Sequence, residues 1–352
     1  MLRRSVDAGL KAMHSKAQPW TIRPPDFFTD VEIVRELAAT IIGCQSQDIS
    51  IIPSASYGIA TAAKNLTVDT NEEILVLDEQ FPSNVYAWVE TSKQSGATVK
   101  QIPRPTDGDW TEAMITAISS NTKVAALPHC HWIDGSFIDL EKVAISLRNN
   151  GTALVVDATQ SLGAMPLNLA KIQPDFLIAA CYKWLLGPYS TGLLYVAPKH
   201  QGGDPIEFSW TSRAGAEDFG NLAIYRNEYQ LGARRYDAGE RSNFALLPPL
   251  IVGLQQIIDW SVTSIYETIS GLTKLAAIEA ENLGLRVGKN SLRSGHFLGI
   301  QLPSSAPKDL VDQLGQRDIF LSRRGDSLRI TPHVYNSKRD IDVLFDALNQ
   351  LL

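Results

Sequence analysis

The chain has 352 residues, of which 44% are hydrophobic and 20% are charged, and its formal net charge is −6. This length suits two domains, and the composition is that of a globular protein whose core needs no disulfide staples. The negative charge argues against a nucleic-acid-binding protein, because short basic pairs do not form a positive stripe. Pairs such as Arg234-Arg235 and Arg323-Arg324 either hold an anionic small molecule or are solvated.

The cysteines and the N-terminal segment indicate the compartment. Cys44, Cys130 and Cys181 share no CxxC spacing, and an odd number cannot form a fully paired disulfide framework. The N-terminal segment has two arginines but no apolar signal-peptide region, and no apolar stretch approaches the roughly 18 residues of a membrane span. We expect a soluble, cytoplasmic protein without membrane or nucleic-acid partners, and the sequence predicts no metal site.

Between residues 48 and 197, short apolar runs alternate with polar turns and segments of helical length. This order predicts βαβ units and a mostly parallel sheet, and the near-continuous apolar runs suit strands buried on both faces. Ligands of such sheets bind at the carboxyl ends of strands, so functional residues should follow the runs. The seven predicted strands are Ile49–Pro53, Ile74–Asp78, Thr98–Ile102, Val124–Pro128, Leu154–Asp157, Phe176–Ala180 and Gly192–Ala197.

A second region begins near Pro248 and has the pattern of a small α+β unit. We therefore expect a large domain of residues 25–240 and a smaller domain made of residues 1–24 and 241–352. The predicted elements of the second region are two helices, three short strands and a closing helix, at Leu250–Ser270, Thr273–Leu285, His296–Gln301, Ile319–Leu321, Ser327–Thr331 and Lys338–Leu351.

Asp157 closes an apolar strand in the segment Val155–Gly163. A carboxylate in this position loses its hydration and requires a partner. Asp157 therefore caps the next helix, pairs with a base, or binds a ligand cation. Gln160 is compatible with a capping box, so the motif taken alone favours the helix cap.

Lys183 lies at the end of the next apolar strand, Phe176–Ala180, within the apolar stretch DFLIAACYKWLLGP. Burial lowers the pKa of a lysine and makes its amine nucleophilic. The alternative is a lysine that extends its amine to solvent. The apolar neighbours give Lys183 little water to reach, which favours the nucleophile.

A third candidate is the turn Ser54–Gly58, which follows the first strand and opens a helix. Small residues let backbone N–H groups approach an oxyanion, and the helix dipole favours its negative charge. A serine that only caps the helix is the alternative. Neither GxxxxGK[ST] nor GxGxxG occurs, which sets aside a P-loop or dinucleotide site.

The three candidates together match the requirements of pyridoxal 5′-phosphate. This cofactor needs an amine for its aldehyde, a carboxylate for its pyridinium nitrogen and an anion site for its phosphate. Lys183, Asp157 and the turn Ser54–Gly58 supply one of each. The sequence therefore predicts a pyridoxal phosphate enzyme.

Five motifs, two of which contain Asp157 and Lys183, resemble the class V aminotransferases of the fold-type-I pyridoxal phosphate enzymes, a group that includes cysteine desulfurases, kynureninases and isopenicillin N epimerase. The resemblance covers essentially the whole chain. It implies the fold-type-I transferase fold, with a mostly parallel seven-stranded sheet, and a homodimer with shared active sites. The matching motifs are Asp157–Gln160, Tyr182–Trp184, Gly187-Pro188 with Thr191-Gly192, Tyr236–Gly239, and Leu328-Arg329 with Tyr335-Asn336.

The resemblance implies a role for each matching residue of the large domain. Lys183 forms the Schiff base and then moves the α-proton of the substrate. Asp157 pairs with the pyridine nitrogen, and Gln160 hydrogen-bonds the phenolic oxygen. Ala55 and Ser56 match the phosphate-binding turn.

Further residues are expected above the cofactor ring and at the substrate. His129 matches the residue that stacks on the ring, and its alternative is a surface histidine. Trp132 and, less strongly, His131 are expected to face the substrate. Arg329 matches the arginine that binds the substrate α-carboxylate, which requires a planar bidentate partner. An exposed strand arginine is the alternative for Arg329.

The chain departs from the family pattern at several positions. Tyr182 and Ala180 stand where relatives often have His and Ser, so phosphate binding relies on other donors, with Tyr182 a candidate. Glu240 stands where relatives place a threonine that reaches the neighbouring subunit's phosphate, and a residue of Arg241–Asn243 is the candidate substitute. The short stretch Ser322–Ser327 lacks the catalytic cysteine of the desulfurases, which argues against a persulfide relay.

Three functions remain open. The leading hypothesis is a class V aminotransferase-like enzyme that acts on a small α-amino acid. The alternative is a cysteine or cystine C–S lyase, or an amino-acid epimerase, on the same scaffold. A cofactor-binding protein without turnover is the third, and the carboxylate-binding Arg329 argues against it.

Overall fold

The computed structural model describes residues 1–352, and the larger of its two sheets has seven strands. They are β1 (Ile49–Ile52), β2 (Glu73–Leu77), β3 (Thr98–Ile102), β4 (Thr122–Pro128), β5 (Ala153–Asp157), β6 (Phe176–Ala180) and β7 (Gly192–Val196). Their order is β1-β7-β6-β5-β4-β2-β3, and β7 alone runs antiparallel to its neighbours. The predicted mostly parallel, seven-stranded sheet is confirmed.

Helices cover both faces of this sheet, and side chains alternate between two cores. Along β4, Ala125 and Leu127 enter one core and Val124 and Ala126 enter the other, as expected for a strand buried on both faces. The helices are α1 (Arg3–Lys16), α2 (Asp26–Ile42), α3 (Ala55–Asn65), α4 (Tyr86–Ser95), α5 (Trp110–Ala117), α6 (Leu140–Asn150), α7 (Leu169–Ile172), α8 (Leu247–Trp260), α9 (Val262–Asn282), α10 (Leu310–Gly315) and α11 (Lys338–Leu351). No helix is both long enough and apolar enough to cross a bilayer.

The smaller sheet is antiparallel and belongs to the C-terminal part of the chain. Its strands are β8 (Arg286–Val287), β9 (Leu298–Gln301), β10 (Ser322–Arg324) and β11 (Ser327–Ile330), in the order β10-β11-β9-β8. The strand predicted at Ile319–Leu321 begins later, at Ser322, because the β10–β11 hairpin pairs Ser322 with Arg329 around a turn at Gly325. The two-residue strand β8 is not apparent in the sequence.

The packing divides the chain differently from the predicted boundary at residue 241. Leu250 and Leu254 of α8 lie in the core of the large sheet, whereas the core of the small sheet begins at Leu272 in α9. The helix predicted at 250–270 is broken at Ser261, whose φ of 62° ends α8. By packing, α8 therefore belongs with the large domain. The sequence had assigned it to the small domain.

The amino end of α3 reaches the carboxyl edge of the sheet because the helix packs directly on the strands. Gly58 makes this approach possible, since a Cβ there would lie 2.8 Å from Ile52 Cδ1 and 2.9 Å from Ile178 Cγ1. A residue with a side chain would push α3 away from β1 and β6. The close contact fixes the turn that precedes α3 relative to the strand ends.

Candidate active site

A cavity of about 330 Å³ opens at the carboxyl edge of the large sheet. Its walls are the segments that follow β1, β2, β4, β5 and β6, together with the segment that precedes β7. It therefore lies where ligands of parallel sheets bind. A larger groove, of about 880 Å³, lies at the opposite edge around Asp175 and contains none of the predicted site residues. The residues from the sequence analysis that line the first cavity are Ala55, Ser56, Trp132, Asp157, Gln160, Tyr182 and Lys183.

Lys183 is half-buried in this cavity, and its ammonium lies over two aromatic rings. Its Nζ is 5.7 Å from the ring centre of Phe81 and 5.6 Å from that of Tyr182. Burial lowers the pKa of Lys183, and the positive charge of Arg329 acts in the same direction, while Asp157 opposes both. The structure thus favours a neutral, nucleophilic amine at this position.

Asp157 ends β5 with a buried carboxylate that no cationic side chain neutralises. Its Oδ1 accepts a hydrogen bond from the backbone N–H of Thr159 at 3.0 Å, and it forms no ion pair with Lys, Arg or His. Burial raises the pKa of Asp157, opposed by Thr159 and Lys183. A buried carboxylate of this kind suits a ligand that brings its own positive charge, such as a protonated pyridine nitrogen.

The turn before α3 has free backbone donors that could bind an anion. Ser54 is the N-cap of α3, and its Oγ accepts the N–H of Tyr57 at 3.2 Å and lies 2.9 Å from Ser56 Oγ. Ala55 and Ser56 line the cavity, and the first N–H groups of a helix have no acceptor within it. Ser54 therefore caps the helix, and the same turn leaves donors available for an anion.

Arg329, on the hairpin of the small sheet, does not line this cavity, but its positive charge acts on Lys183, which does. Its Nη1 donates a long hydrogen bond of 3.4 Å to Ser322 Oγ, its Nε is buried without an acceptor, and no carboxylate pairs with it. Burial, together with the charge of Arg324, lowers the pKa of Arg329 to about 10. A half-buried guanidinium with an unused donor is a binding group for a carboxylate.

The structure corrects the expectation that His129 stacks on the cofactor ring. Pro128 pairs with Asp157 across β4 and β5, and alternate residues of a strand point to opposite faces. Pro128 and Cys130 therefore line the cavity, whereas His129 turns away and places its Nδ1 3.1 Å from Ser161 Oγ. Burial lowers the pKa of His129 to about 3, so it is a neutral core histidine rather than the surface residue of the alternative.

The two other residues of this segment have different positions. His131 is fully buried, stacks on Trp110 at 5.4 Å, and its Nε2 lies 3.1 Å from the carbonyl of Asp78. It does not line the cavity, so it is not placed to meet a substrate. Trp132 does line the cavity, and its Nε1 donates to the carbonyl of Glu79 at 2.7 Å.

Phe81 is the aromatic residue that the sequence analysis missed. Its ring faces Lys183 Nζ and meets the indole of Trp132 edge-on at 5.4 Å. Phe81 lies in the segment directly after β2. The rule that functional residues follow the apolar runs could have identified it, because the run Ile74–Asp78 ends three residues earlier.

Arg324 and Tyr189 complete the mouth of the cavity. The guanidinium of Arg324 lies 5.8 Å from the ring centre of Trp132, and its charge lowers the pKa of Lys183. Tyr189 lines the cavity and stacks on Tyr182 at 4.2 Å. In the sequence, Arg324 was noted only as part of the basic pair Arg323-Arg324. Nothing in the sequence analysis indicated Tyr189.

The three candidate substitutes for the missing threonine at Glu240 differ in how far they are engaged within the chain. The buried Arg241 pairs with Asp237 through its Nε at 2.9 Å, and Ser242 Oγ donates to the carbonyl of Phe27. The Oδ1 of Asn243 accepts the N–H of Leu246 at 3.0 Å. Arg241 and Ser242 are thus engaged within the chain, whereas Asn243 is exposed and its amide nitrogen has no partner, so Asn243 is the one of the three that is free to contact another subunit.

Comparison with known proteins identifies the class to which this fold and site belong. Residues 23–342 match the model of the family described as aminotransferase class-V, so the chain belongs to the class V aminotransferase family. The cofactor of this family is pyridoxal 5′-phosphate, and the amine, the buried carboxylate and the anion site around the cavity fit it. The family membership agrees with the resemblance found in the sequence.

Individual relatives carry several activities. The chain is 25% identical over 320 residues to the uncharacterized aminotransferase YcbU of Bacillus subtilis (strain 168), covering 90% of this chain and 82% of that protein. It is 25% identical over 346 residues to isopenicillin N epimerase of Streptomyces clavuligerus, with coverages of 90% and 83%. The chain is also similar to a solved structure, the complex of the cystine C–S lyase C-DES with cysteine persulfide. The TM-score is 0.90 at 18% sequence identity, and the match covers 100% of this chain and 95% of that chain. The two proteins therefore share a fold.

Proposed function

We propose that this protein is an aminotransferase that acts on a small α-amino acid, with Lys183 forming a Schiff base to pyridoxal 5′-phosphate. One observation carries the proposal. A half-buried amine and a buried carboxylate without a cation line a single cavity, and an arginine without a carboxylate lies close enough for its charge to act on that amine. Each lacks the partner that the cofactor or the amino acid supplies.

Three groups of the large domain hold the cofactor in this proposal. When bound, pyridoxal 5′-phosphate joins an amine through its aldehyde and withdraws electrons from the Cα of the amino acid. Asp157 keeps its carboxylate charged beside the pyridinium nitrogen, and Gln160 donates its carboxamide N–H to the phenolic oxygen. The N–H groups of Ala55 and Ser56 bind the phosphate, with Tyr182 as a further donor at the cavity wall.

Lys183 and Arg329 act on the substrate. The Nε–H of Arg329 and one of its Nη groups bind the α-carboxylate as a bidentate pair, which fixes the orientation of the Cα bonds. Lys183 Nζ removes a proton from Cα and returns it. Its lowered pKa keeps a fraction of the amine neutral and basic near neutral pH.

The walls of the cavity limit the size of the substrate. The volume of about 330 Å³ must hold both the cofactor and the amino acid, so only a small side chain fits beside them. Phe81 and Trp132 form an apolar corner of this cavity. Arg324 adds a second positive charge at the mouth, which favours amino acids without a cationic side chain.

A C–S lyase that acts on cysteine or cystine is the second candidate. It is supported by the likeness to the cystine C–S lyase over the whole chain. An epimerase is supported in the same way by isopenicillin N epimerase. In each case the α-proton leaves through the same residues, and the reactions differ in the bond that breaks next or in the face to which the proton returns.

We also propose a homodimer in the cytoplasm. The dimer is supported by the segment that precedes Glu240, which exposes large apolar side chains, with Tyr225 95% and Leu231 81% exposed. Such exposure is typical of a surface that another chain covers. The cytoplasmic location is supported by the three cysteines, all free thiols, as is usual in a reducing compartment. A monomer by light scattering at micromolar concentration would contradict the dimer.

The test of the function is a single-turnover absorbance spectrum of the cofactor-loaded protein with a panel of amino acids and no 2-oxo acid. A transaminase loses the Schiff-base band and keeps the pyridoxamine spectrum, and the fastest amino acid identifies its donor class. A band that dips and returns would instead indicate a lyase or an epimerase, to be followed by assays for sulfide, pyruvate or the opposite enantiomer. A band that no amino acid changes would indicate cofactor binding without turnover. Lys183→Ala is the control and should lose both the band and the turnover.

A further inference from the structure

A histidine of the small domain contacts the backbone of a cofactor-binding segment. His296 lies between β8 and β9, is fully buried, and places its Nε2 2.5 Å from the backbone oxygen of Gln160. A carbonyl oxygen only accepts hydrogen bonds, so this Nε2 carries the proton of the neutral imidazole. The Nδ1 is then a bare nitrogen, and it is buried without a partner.

The same imidazole also touches the segment that carries Lys183. The ring centres of the imidazole and of the Trp184 indole are 4.9 Å apart, and the angle between the two ring planes is 79°, an edge-on contact. Trp184 directly follows Lys183 and is buried. One side chain of the small domain therefore contacts both the Gln160 segment and the Lys183 segment.

The peptide between Gln160 and Ser161 is held from both sides. Its N–H donates to the carbonyl of Ala158 at 2.9 Å, and its carbonyl receives the N–H of His296 and a weak hydrogen bond from Cys130 Sγ at 3.6 Å. The Gln160 side chain lines the cavity. Because the backbone sets the direction in which the Gln160 side chain starts, the His296 bond contributes to how the carboxamide enters the cavity.

We propose that His296 is a positioning residue, which aims the Gln160 carboxamide at the phenolic oxygen of the cofactor and steadies Trp184 beside Lys183. This inference rests on the proposed function, because it assigns His296 an effect on the bound cofactor. It also links the small domain to the electronic state of that cofactor. The position of the small domain against Gln160 sets how strongly the phenolic oxygen is hydrogen-bonded.

His333 provides a matched control. It is buried in the same region and stacks on Trp184 at 5.8 Å, but its side chain makes no hydrogen bond to Gln160. Burial lowers the pKa of both His296 and His333 to about 4, so neither ring titrates near neutral pH. His296→Phe and His333→Phe each keep an aromatic ring beside Trp184, and only the first removes a bond to Gln160.

The experiment is a pH titration of the visible absorbance of the cofactor-loaded wild type, His296→Phe and His333→Phe, with kcat and KM measured on the same preparations. A hydrogen bond to the phenolic oxygen stabilises its negative charge, so weakening this bond makes the oxygen hold its proton more tightly. In His296→Phe we expect the titration midpoint to rise by about half a pH unit or more and kcat to fall roughly tenfold, with KM nearly unchanged. His333→Phe should match the wild type.

A third variant keeps the inference testable if His296→Phe does not fold. His296→Gln retains an N–H donor and is expected to keep the wild-type midpoint. The inference is overturned if folded His296→Phe has the wild-type midpoint and kcat, if His333→Phe shows an equal effect, or if His296→Gln shifts as far as His296→Phe should. A wild type without any visible cofactor band would instead remove the proposed function, and this inference with it.

Discussion

The indole Nε1–H of Trp132 donates a hydrogen bond of 2.7 Å to the backbone carbonyl of Glu79, which joins the segments that follow β4 and β2. Glu79 has a φ of 52°, a left-handed conformation that is unfavourable for a residue with a side chain. The bond helps to hold this conformation. Phe81, whose ring faces Lys183, follows two residues later, so the Trp132 bond helps to position this ring together with the three hydrogen bonds of the buried Gln80 side chain.

Trp132→Phe should therefore weaken cofactor binding. Phenylalanine keeps an aromatic edge near Phe81 but removes the N–H donor, and loss of one exposed hydrogen bond costs about 0.5–1 kcal/mol. We expect the Kd for pyridoxal phosphate to rise about two- to fivefold, measured by fluorescence titration of the cofactor-free protein. Trp20→Phe, at an exposed position outside the cavity, is the control. An unchanged Kd in Trp132→Phe would show that the loop holds its conformation without the indole.

Arg329→Lys tests the carboxylate site. Lysine keeps the positive charge but loses the planar pair of donors, so binding of the α-carboxylate weakens while the cofactor site is intact. We expect KM for the amino acid to rise about tenfold or more, with little change in cofactor affinity. Arg323→Lys is the matched control, because the hairpin register places Arg323 on the opposite face, beside Leu328. Equal effects of both substitutions would contradict the assignment.

The lowered pKa of Lys183 predicts that this residue destabilises the folded, cofactor-free protein by an amount that depends on pH. Burial lowers its pKa in the folded state below the ordinary value of 10.5. Between these two pKa values the unfolded chain binds more protons than the folded chain, so stability rises with pH through this window. Below the folded-state pKa the amine is charged in both states, and burial of this charge lowers the stability of the folded protein by its full amount. Lys183→Met should therefore be more stable than wild type at neutral pH.

Thermal unfolding of both cofactor-free proteins near neutral pH and again near the ordinary pKa of lysine checks this prediction. The advantage of Lys183→Met should shrink at the higher pH, where the wild-type amine is neutral. Because the other titrating groups are common to both proteins, their contributions cancel in the comparison. A difference that is the same at both pH values would mean that packing, and not the charge of Lys183, destabilises the wild type.

Gly58→Ala tests the close packing of α3 on the sheet. The new Cβ would lie within 3 Å of Ile52 and Ile178, and overpacking of this kind costs about 1–3 kcal/mol. The helix propensity of alanine offsets about 1 kcal/mol of this cost. We expect a lower midpoint of thermal unfolding and weaker cofactor binding, since the turn before α3 shifts. Gly271→Ala in α9 is the control, because nothing lies within 4 Å of its added Cβ, and it should be neutral or stabilising.

Much of the large domain was predictable because its strands are buried on both faces. The apolar runs locate all seven strands with bounds within two residues of those observed, and the bounds of β3 and β6 agree at both ends. The small sheet was harder to predict from the sequence, because its strands are short and β8 has only two residues, neither of them fully buried. The end of α8 could not be foreseen, since it depends on the left-handed backbone of Ser261 rather than on Gly or Pro.

The residues of the candidate site were likewise predictable only in part. Asp157, Gln160 and Lys183 follow strands directly, and the structure brings them to one cavity, although their roles remain proposals. His129 was misplaced because the sequence does not state which face of β4 each residue occupies. That face is set by the register of Pro128 with Asp157. Phe81 follows an apolar run and Arg324 belongs to a basic pair, but their positions near Lys183, like that of His296 near Gln160, depend on tertiary packing.

The most direct test of the central claim is reduction of the cofactor-loaded protein with borohydride, followed by proteolysis and mass spectrometry of the peptides. Reduction converts a Schiff base into a stable secondary amine and so records which lysine formed it. The account predicts a pyridoxyl group on Lys183, in the segment that follows β6. A pyridoxyl group on another lysine, or none in protein that has bound the cofactor, would contradict it.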